Sequence, residues 1–375
     1  MVEEKWKSNP IFKIFDKFVD TTYCDLHVWV KYNYVRERVW NIKNLWFGLT
    51  NDIIEAFAKQ ILTKDKFSLL LSWEEVDYWF TYKDARFRLN FYYDNEWLNI
   101  AARRIESNYP DLGALWLTDI LQKNFLKQKG LILITWPTGT WKSTTMAWIL
   151  KFIADNRKCH ILTLEDPIEY IISSSNSLIH QREVGRNTKS WLNWIKYALR
   201  QDPDVVVVWE MRDLPTIEWV LTLVETWHLV ISTLHTIDAV QTITRIINSF
   251  PPNQQNRIAL QLSMVLEMVI SQRLIPRKDW FERYCVREVL INNTAIANLI
   301  RTWRIPWIYG VLETQRKIWM TTMDNDMALA VVNDMVDIKD VLPLVKDMAS
   351  FKQMVLYYQE EKDRRELYKP KNKDE

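Results

Sequence analysis

The stretch GLILITWPTGTWKSTTMAWIL, residues 130–150, decides the fold of this chain. It opens with a short apolar run, GLILIT, of the kind that forms a buried parallel strand. A turn follows, and a helical segment starts near Lys142. Strand, turn and helix in this order direct backbone N–H groups and the positive end of the helix at a bound anion. The segment therefore predicts an α/β domain that binds phosphate in its first turn.

The turn contains the polar half of the phosphate-binding pattern G-x-x-x-x-G-K-[S/T]. Lys142 and Ser143 match, but Trp136 and Trp141 occupy the two glycine positions, and the indole of Trp141 would fill the volume that phosphates need. In a complete loop the lysine reaches the β- and γ-phosphates of ATP, and the serine hydroxyl binds Mg²⁺. The predicted nucleotide-binding residues are Trp136, Pro137, Thr138, Gly139, Thr140, Trp141, Lys142, Ser143 and Thr144.

Glycine and tryptophan are the two abnormal numbers in the composition. The chain has 6 glycines and 20 tryptophans in 375 residues, and the two together make up about 7%, the usual share of glycine alone. Several tryptophans stand where a positive φ or a close backbone approach favours glycine; these are Trp40, Trp136, Trp141, Trp209, Trp227 and Trp280. The hypothesis is that the gene contains UGA codons that its host reads as glycine. The alternative is genuine aromatic residues in cores or stacking platforms.

Composition also excludes several classes of protein. Apolar residues are 48% and charged residues 26%, as in ordinary globular proteins, and the net charge of +2 favours neither nucleic acid nor a membrane surface. The sequence has no run of about 18 apolar residues, so we expect no membrane span. Its start lacks the pattern of a signal peptide. Cys24, Cys159 and Cys285 form no C-x-x-C pair, which fits a reducing cytoplasm without a cysteine zinc site.

The order of predicted elements indicates two domains. Residues 1–105 alternate short strands with a helix, as in a small α+β domain, and residues 106–117 contain a proline and a glycine typical of a linker. Residues 118–345 alternate apolar strands with helices, which predicts a parallel sheet. Residues 346–375 are charged and predict a helix with a frayed tail. The predicted strands of the second domain are 130–135, 159–166, 204–210 and 228–236.

Two acidic motifs follow apolar strands in the second domain. Glu165, Asp166 and Glu169 lie in LEDPIEY, and Glu210 ends DPDVVVVWE. Carboxylates at the carboxyl ends of parallel strands face the crevice where α/β sheets bind ligands. There they can activate water or hold Mg²⁺, with solvated loop acids as the alternative for LEDPIEY. We expect Glu165, Glu169 and Glu210 to be catalytic, and Glu210 to bind Mg²⁺ together with Ser143.

Basic side chains complete the predicted site. His228 and His235 flank the apolar run in ETWHLVISTLHT, and we expect both to sense or contact the γ-phosphate. Arg86 and Arg88 alternate on a predicted strand of the first domain, and Arg103 and Arg104 come just before the linker. They are candidates for arginines supplied in trans between subunits. Surface solubility is the alternative for each arginine. For Arg212, a surface ion pair with Asp213, the residue that follows it, is the alternative to a role in the site.

Six segments occur in the order in which the secretion ATPase superfamily has them, and the chain most resembles its twitching-motility branch, the PilT-like retraction ATPases of type IV pili. The segments are GLILITWPTGTWKSTTMA, HILTLEDPIEY, HQREVGRNT, ALRQDPDVVVVWEMRDLPTI, ETWHLVISTLHT and VISQRLIPR. AIANLIR, residues 295–301, is similar to the C-terminal signature of that branch, with Ala297 in place of its usual arginine. Assembly-type relatives usually carry a four-cysteine zinc element, which this chain lacks.

The resemblance implies a PAS-like α+β domain followed by a RecA-like P-loop NTPase domain. It implies a cytoplasmic homo-hexamer at the inner face of the cell membrane, with ATP and Mg²⁺ between domains, an inner-membrane pilus platform protein as partner and no nucleic acid. It assigns Glu165 and Glu169 to an acidic box, Glu210 to a Walker B glutamate, and the histidines to a histidine box. Among the arginines it favours Arg88 and Arg103 as arginine fingers. Pilus assembly or type II secretion is the alternative activity. A nucleotide-free structural ring subunit is the alternative if Trp136 and Trp141 are genuine.

Overall fold

The computed structural model divides the chain into two compact units, Met1–Tyr109 and Pro110–Glu375, each with its own hydrophobic core. The structure describes residues 9–19, 25–30, 33–36, 42–44, 48–83, 85–95, 97–105, 119–135, 142–166, 168–184, 187–188, 194, 197–279, 283–315 and 318–367. Over these ranges, no helix combines the length and the apolar character needed to cross a bilayer.

The first unit combines an antiparallel sheet with helices. Its helices are α1 (Ile11–Val19), α2 (Asn51–Ile61) and α3 (Lys64–Leu71). Its strands are β1 (Asp25–Val28), β2 (Asn33–Arg36), β3 (Ile42–Asn44), β4 (Val76–Tyr82), β5 (Ala85–Tyr93) and β6 (Leu98–Ile105), in the order β3-β2-β1-β6-β5-β4. Apolar residues alternate along β5 and bury one face of the sheet against the helices: the Phe15 ring of α1 lies 5.9 Å from Phe57 of α2 and 5.1 Å from Phe87 of β5. This is the α+β arrangement that the sequence predicts.

The second unit is built on a mostly parallel sheet. Its strands are β7 (Gly130–Thr135), β8 (His160–Glu165), β9 (Leu178–Glu183), β10 (Val205–Val208), β11 (Leu229–Leu234), β12 (Leu266–Pro276) and β13 (Arg283–Ile291). They lie in the order β13-β12-β7-β11-β10-β8-β9, and among the pairings of these described strands the β12–β13 pairing alone is antiparallel. Right-handed crossovers through helices are the general way to join such parallel strands.

Helices surround this sheet and extend beyond it. They are α4 (Asp119–Phe125), α5 (Lys142–Asn156), α6 (Leu214–Glu225), α7 (Ala239–Asn248), α8 (Pro252–Val265), α9 (Thr294–Arg301), α10 (Ile308–Thr314), α11 (Met323–Val332), α12 (Ile338–Val341) and α13 (Met348–Leu367), with 3₁₀ turns at Ile305–Trp307 and Leu342–Leu344. The helix predicted near the C-terminus is α13, and Phe351 anchors it in a separate apolar cluster with α11. Residues of the last helices therefore form a further, smaller core together with Ile275 of β12 and Val286 of β13.

The four strands predicted for the second unit are confirmed. β7 has the bounds of GLILIT, and β8, β10 and β11 lie within their predicted runs. All residues of β7, β10 and β11 are buried, which explains why these strands are continuous apolar runs. β9, β12 and β13 were not predicted. β9 lies at the sheet edge and carries half-buried polar residues, so it lacks the run that identifies the central strands.

Candidate functional site

The strands β7, β11, β10 and β8 are adjacent and parallel, so their carboxyl ends share one edge of the sheet. At this edge β7 ends at Thr135, and α5 begins at Lys142, which confirms the strand and the helix on either side of the predicted phosphate-binding turn. The turn residues Trp136, Pro137, Thr138, Gly139, Thr140 and Trp141 lie outside the described residues, as does the side chain of Lys142.

The first turn of α5 is tied to its surroundings by side-chain hydrogen bonds. Thr144 Oγ1 lies 3.0 Å from the hydroxyl of Tyr170, in the segment after β8. The Thr145 hydroxyl donates to Oε1 of Gln272 on β12 at 3.1 Å, and Ser143 is buried beside them. These bonds fix the start of α5. A fixed helix start keeps its N–H groups directed at one position, as anion binding requires.

Glu210 is the acid with the most defined geometry at this edge. It follows β10, and its side chain is 11% exposed. Nε2 of His235, which follows β11, lies 3.1 Å from Oε1 of Glu210, and Nε of Arg212 donates to Oε2 at 2.9 Å. Each carboxylate oxygen therefore has a partner that fixes its orientation. The other ring nitrogen of His235, Nδ1, is buried and has no hydrogen-bond partner among the described residues.

Arg212 contacts two acids, Glu210 and Asp166, and does not form the alternative surface ion pair with Asp213. Besides Glu210, its NH1 lies 3.6 Å from Oδ2 of Asp166, so it connects the ends of β8 and β10. Asp213 caps α6: its Oδ1 accepts from the N–H of Thr216 at 3.0 Å, and a proline follows in the first turn. The D-x-P-T pattern is a helix-start signal. From this pattern, the sequence could have assigned Asp213 to the start of α6 instead of to an ion pair with Arg212.

Glu165 is buried at the end of β8, with 1% of its surface exposed. Burial raises the pKa of its carboxyl to about 7, and hydrogen bonds from Gln181 and Thr163 to Oε1 oppose the rise. The nearby carboxylates of Glu169 and Glu183 raise this pKa further. An acid of this pKa can accept and release a proton near neutral pH. Glu165 and Glu169 thus lie together at the predicted edge, although Glu165 is enclosed.

Gln181 is a residue of the site that the sequence did not indicate. Its Nε2 donates to Oε1 of Glu165 and to the carbonyl oxygen of Tyr170, both at 2.8 Å. Its own Oε1 accepts from the N–H of Ile172 at 2.7 Å. One amide on β9 thereby holds the acidic segment against the sheet. A single glutamine in a polar edge strand has no spacing or motif by which sequence could identify this role.

His228 and His235 lie at opposite ends of β11. His228 directly precedes β11, whereas His235 follows it, and a six-residue strand separates its ends by about 20 Å. Nδ1 of His228 lies 2.9 Å from the carbonyl oxygen of Leu223 and 3.0 Å from the hydroxyl of Thr226, at the end of α6. The structure therefore does not bring both histidines to one phosphate within a subunit. His235 contacts Glu210, whereas His228 contacts the C-terminal end of α6.

Arg88 and Arg103 face each other on β5 and β6 of the first unit. Arg88 NH2 lies 2.9 Å from Oδ2 of Asp77, and Arg103 Nε lies 2.8 Å from Oδ1 of Asp25. Exposed pairs of this kind contribute about 0–1 kcal/mol, so either arginine can exchange its carboxylate for another anion at little expense. Their action in trans stays a prediction.

The tryptophans singled out in the sequence differ in conformation. Trp227 has a φ of 70°, as expected for a glycine position. Trp209, which the sequence places where the backbone approaches a phosphate or water closely, does not have a positive φ, and its side chain is buried. The N–H of Trp209 donates to the carbonyl oxygen of Leu164 at 3.0 Å, and its own carbonyl accepts from the Thr233 hydroxyl, which keeps it extended. Trp40 and Trp280 lie outside the described residues.

The donor atoms at this edge suit a magnesium ion that arrives with a nucleotide. Among the described residues, no three histidine, cysteine, aspartate or glutamate side chains form a group that could hold a metal. A serine hydroxyl at the start of α5 and a carboxylate after β10 are hard oxygen donors, the kind that Mg²⁺ prefers when phosphates and water complete its shell. Ser143 and Glu210 therefore fit shared binding of Mg²⁺ with phosphate, rather than a centre made by protein alone.

Comparison with known proteins agrees with this geometry. The model of the type II/IV secretion system protein family matches residues 99–321. The twitching motility protein of Neisseria gonorrhoeae is 42% identical over 254 residues, 68% of each chain. The type IV pilus retraction ATPase PilT of Pseudomonas aeruginosa is 40% identical over 240 residues, 64% of this chain and 70% of the other. A crystal structure of the pilus retraction motor PilT with bound ADP has a TM-score of 0.84 at 34% identity, and it covers 92% of this chain and 99% of its own. This match confirms the predicted α/β fold class.

Proposed function

Because this chain belongs to the type II/IV secretion system protein family, we propose that it hydrolyses ATP to ADP and phosphate and uses the reaction to retract type IV pili. Similar proteins are named for twitching motility and pilus retraction. The observation that carries the proposal is the carboxylate of Glu210, held by His235 and Arg212 at the sheet edge where β7 leads into α5.

Each group at this edge has a role in phosphoryl transfer, in which the protein mainly positions reactants and neutralises charge. Glu210 orients the attacking water and accepts its proton, and His235 and Arg212 hold both oxygens in place. Glu165, with its pKa near 7, assists proton movement, and Glu169 adds negative charge beside it. When bound, Mg²⁺ neutralises phosphate charge, and Ser143 and Glu210 would hold it.

The working unit that we propose is a homo-hexamer on the cytoplasmic face of the cell membrane, in contact with the platform protein of the pilus. In a ring, the first unit of one copy can present Arg88 or Arg103 to the nucleotide of its neighbour, where an arginine neutralises charge in the transition state. Closure of the first unit over ATP would then do mechanical work on the platform protein.

Replacement of the acid tests the chemistry. We expect Glu210→Gln to lower kcat for ATP hydrolysis by about 10²–10⁴, the usual contribution of a general base, with nucleotide binding retained. Glu225→Gln at the exposed end of α6 is the control and should keep the full rate. A Glu210→Gln protein that hydrolyses ATP at the rate of the unchanged chain would remove the proposed catalytic role.

The direction of pilus movement needs a separate measurement. Deletion of the gene should leave cells with more surface pili and without twitching, because extended pili are no longer withdrawn. Cells without pili would instead identify an assembly ATPase, and the retraction proposal would fail while the ATPase assignment stands.

A further inference from the structure

Four tryptophans adopt a left-handed backbone that bulky residues avoid. Trp73, Trp227, Trp303 and Trp319 have φ angles of 67°, 70°, 60° and 63°. Glycine enters this region freely because it has no Cβ, whereas a bulky side chain there is a genuine outlier. Among the described residues, the other non-glycine residues with positive φ are Lys83, Asp202 and Asp334. Tryptophan is about one residue in nineteen of the chain. If these seven residues with positive φ were a random sample of the chain, fewer than one tryptophan would be expected among them.

Two of these tryptophans occupy the glycine position of a helix-ending motif. After α3, the N–H of Trp73 donates to Leu70 and the next N–H donates back to Leu69, at 3.0 and 3.2 Å. After α9, the N–H of Trp303 donates to Ile300 and the next N–H to Leu299, at 3.2 and 2.9 Å. This pair of bonds is the Schellman motif, whose left-handed residue is usually glycine.

The same chain shows an ordinary residue in that motif. After α11 the N–H of Asp334 donates to Val331 and the next N–H to Ala330, both at 3.0 Å. Aspartate tolerates the left-handed region because its short polar side chain bonds locally. Trp227 likewise comes directly after the C-cap residue Thr226 of α6, and its N–H donates to Val224 at 3.3 Å. The helix ends therefore require a residue that tolerates positive φ, and tryptophan does not meet this requirement.

The indole groups of these four residues are not buried in a core that would offset the strain. All four side chains are exposed, by 67% at Trp73 and 71% at Trp227, for example. Within the described part of the chain, the ring of Trp73 packs against the ring of Tyr93, and the ammonium of Lys129 lies over the ring of Trp227. A buried tryptophan gives a second, independent sign: the indole N–H of Trp148 on α5 has no acceptor among the described residues, although buried indoles usually find one.

We infer that glycine occupies positions 73, 227, 303 and 319 in the protein that its host synthesises, because the host reads as glycine the codon that is translated here as tryptophan. The backbone observations involve none of the residues of the phosphate-binding turn and do not depend on any activity. Genuine surface aromatics are the competing explanation, and they should occur at exposed positions without regard to φ. The same codon at positions 136 and 141 would complete the pattern G-x-x-x-x-G-K-[S/T].

Mass spectrometry of the protein purified from its own cells tests the inference. After trypsin digestion, each peptide that spans residue 73, 227, 303 or 319 should be lighter than the printed sequence by the exchange of an indolylmethyl group for hydrogen. Tryptophan at any one of these four positions overturns the inference. Peptides without tryptophan are the control and should match the printed sequence.

The gene gives a second measurement that needs no purified protein. All four codons should be UGA, and a UGG codon at any of the four positions contradicts the inference. Neither result depends on ATP hydrolysis: a chain with glycine at all four positions can still prove inactive, in which case only the proposed function fails.

Discussion

At the end of β8 a single carboxyl group is subject to two opposing influences. Burial raises the pKa of Glu165 to about 7, and the donors Gln181 and Thr163 lower it. Removal of a donor from a buried acceptor destabilises a protein by the desolvation of the group left unpaired. Gln181 is the more revealing donor, because the same amide also binds Tyr170 and Ile172 of the acidic segment.

Gln181→Leu should therefore destabilise the chain and disturb its chemistry together. We expect the free energy of unfolding to fall by about 1–3 kcal/mol and the pKa of Glu165 to rise, which would move the pH profile of ATP hydrolysis to higher pH. Urea unfolding and a rate–pH curve measure the two effects. Gln359→Leu on exposed α13 is the control and should change stability by less than about 0.5 kcal/mol. An unchanged pH profile would show that Gln181 does not position Glu165.

The two exposed tryptophans around the turn after α9 should respond in opposite directions to glycine. Trp303 has a φ of 60° and Trp307 one of −73°. In a recombinant chain with tryptophan at both positions, Trp303→Gly should raise the free energy of unfolding by about 1 kcal/mol through relief of left-handed strain. Trp307→Gly should lower it by roughly 0.5–1 kcal/mol, because glycine gains entropy in the unfolded chain. Equal responses in urea unfolding would show that φ is not the cause.

Among the secondary-structure elements, those with a strong local signal were predictable. β7, β10 and β11 are buried on both faces and read as continuous apolar runs, and α5 follows directly from the phosphate-binding pattern. β9 depends on pairing with β8 across a segment of the chain, and its polar residues carry no strand signal. The position of Arg212 between Glu210 and Asp166 likewise depends on which strand ends meet, which spacing along the sequence does not state.

The start of α7 is fixed by its own cap and by contacts from residues far away in the sequence. Asp238 caps it by accepting from the N–H of Gln241 at 2.7 Å, and Glu288 of β13 accepts from the N–H of Ala239 at 2.8 Å. Lys346 then pairs with Asp238 at 2.6 Å, next to the last helix. Burial raises the pKa of Glu288 to about 7, while the bond from Ala239 and the charge of Lys346 oppose the rise. This buried acid lies outside the proposed catalytic group.

The raised pKa of Glu288 makes a prediction about stability and pH. Since the folded chain holds this proton up to about pH 7 and the unfolded chain releases it near pH 4.5, the free energy of unfolding should fall as pH rises through that window. Glu288→Gln cannot titrate and should reduce the fall by about 1–3 kcal/mol. Urea unfolding at several pH values measures it, with exposed Glu360→Gln as the control. A slope equal to that of the unchanged chain would contradict the assignment.

For the whole molecule, the two units carry different parts of the proposed reaction. Glu210 and His235 belong to the second unit, and the candidate arginines lie on the sheet of the first, where each already has a carboxylate partner. If a site takes its acid from one copy and its arginine from the next, loss of either part inactivates a ring made of one variant. A ring made of two different variants can still contain complete sites.

Mixing of two inactive variants therefore tests this division. We expect Glu210→Gln rings and Arg103→Ala rings each to lose ATP hydrolysis, and an equal mixture, assembled from dissociated subunits, to recover about a quarter of the normal rate, because random neighbours place an intact Glu210 beside an intact Arg103 in one interface of four. The same experiment with Arg88→Ala decides which arginine acts. Rings that are mixed without dissociation are the control and should stay inactive. If reassembled mixtures also stay inactive while each variant still binds ATP and forms rings, the arginine does not act across the interface.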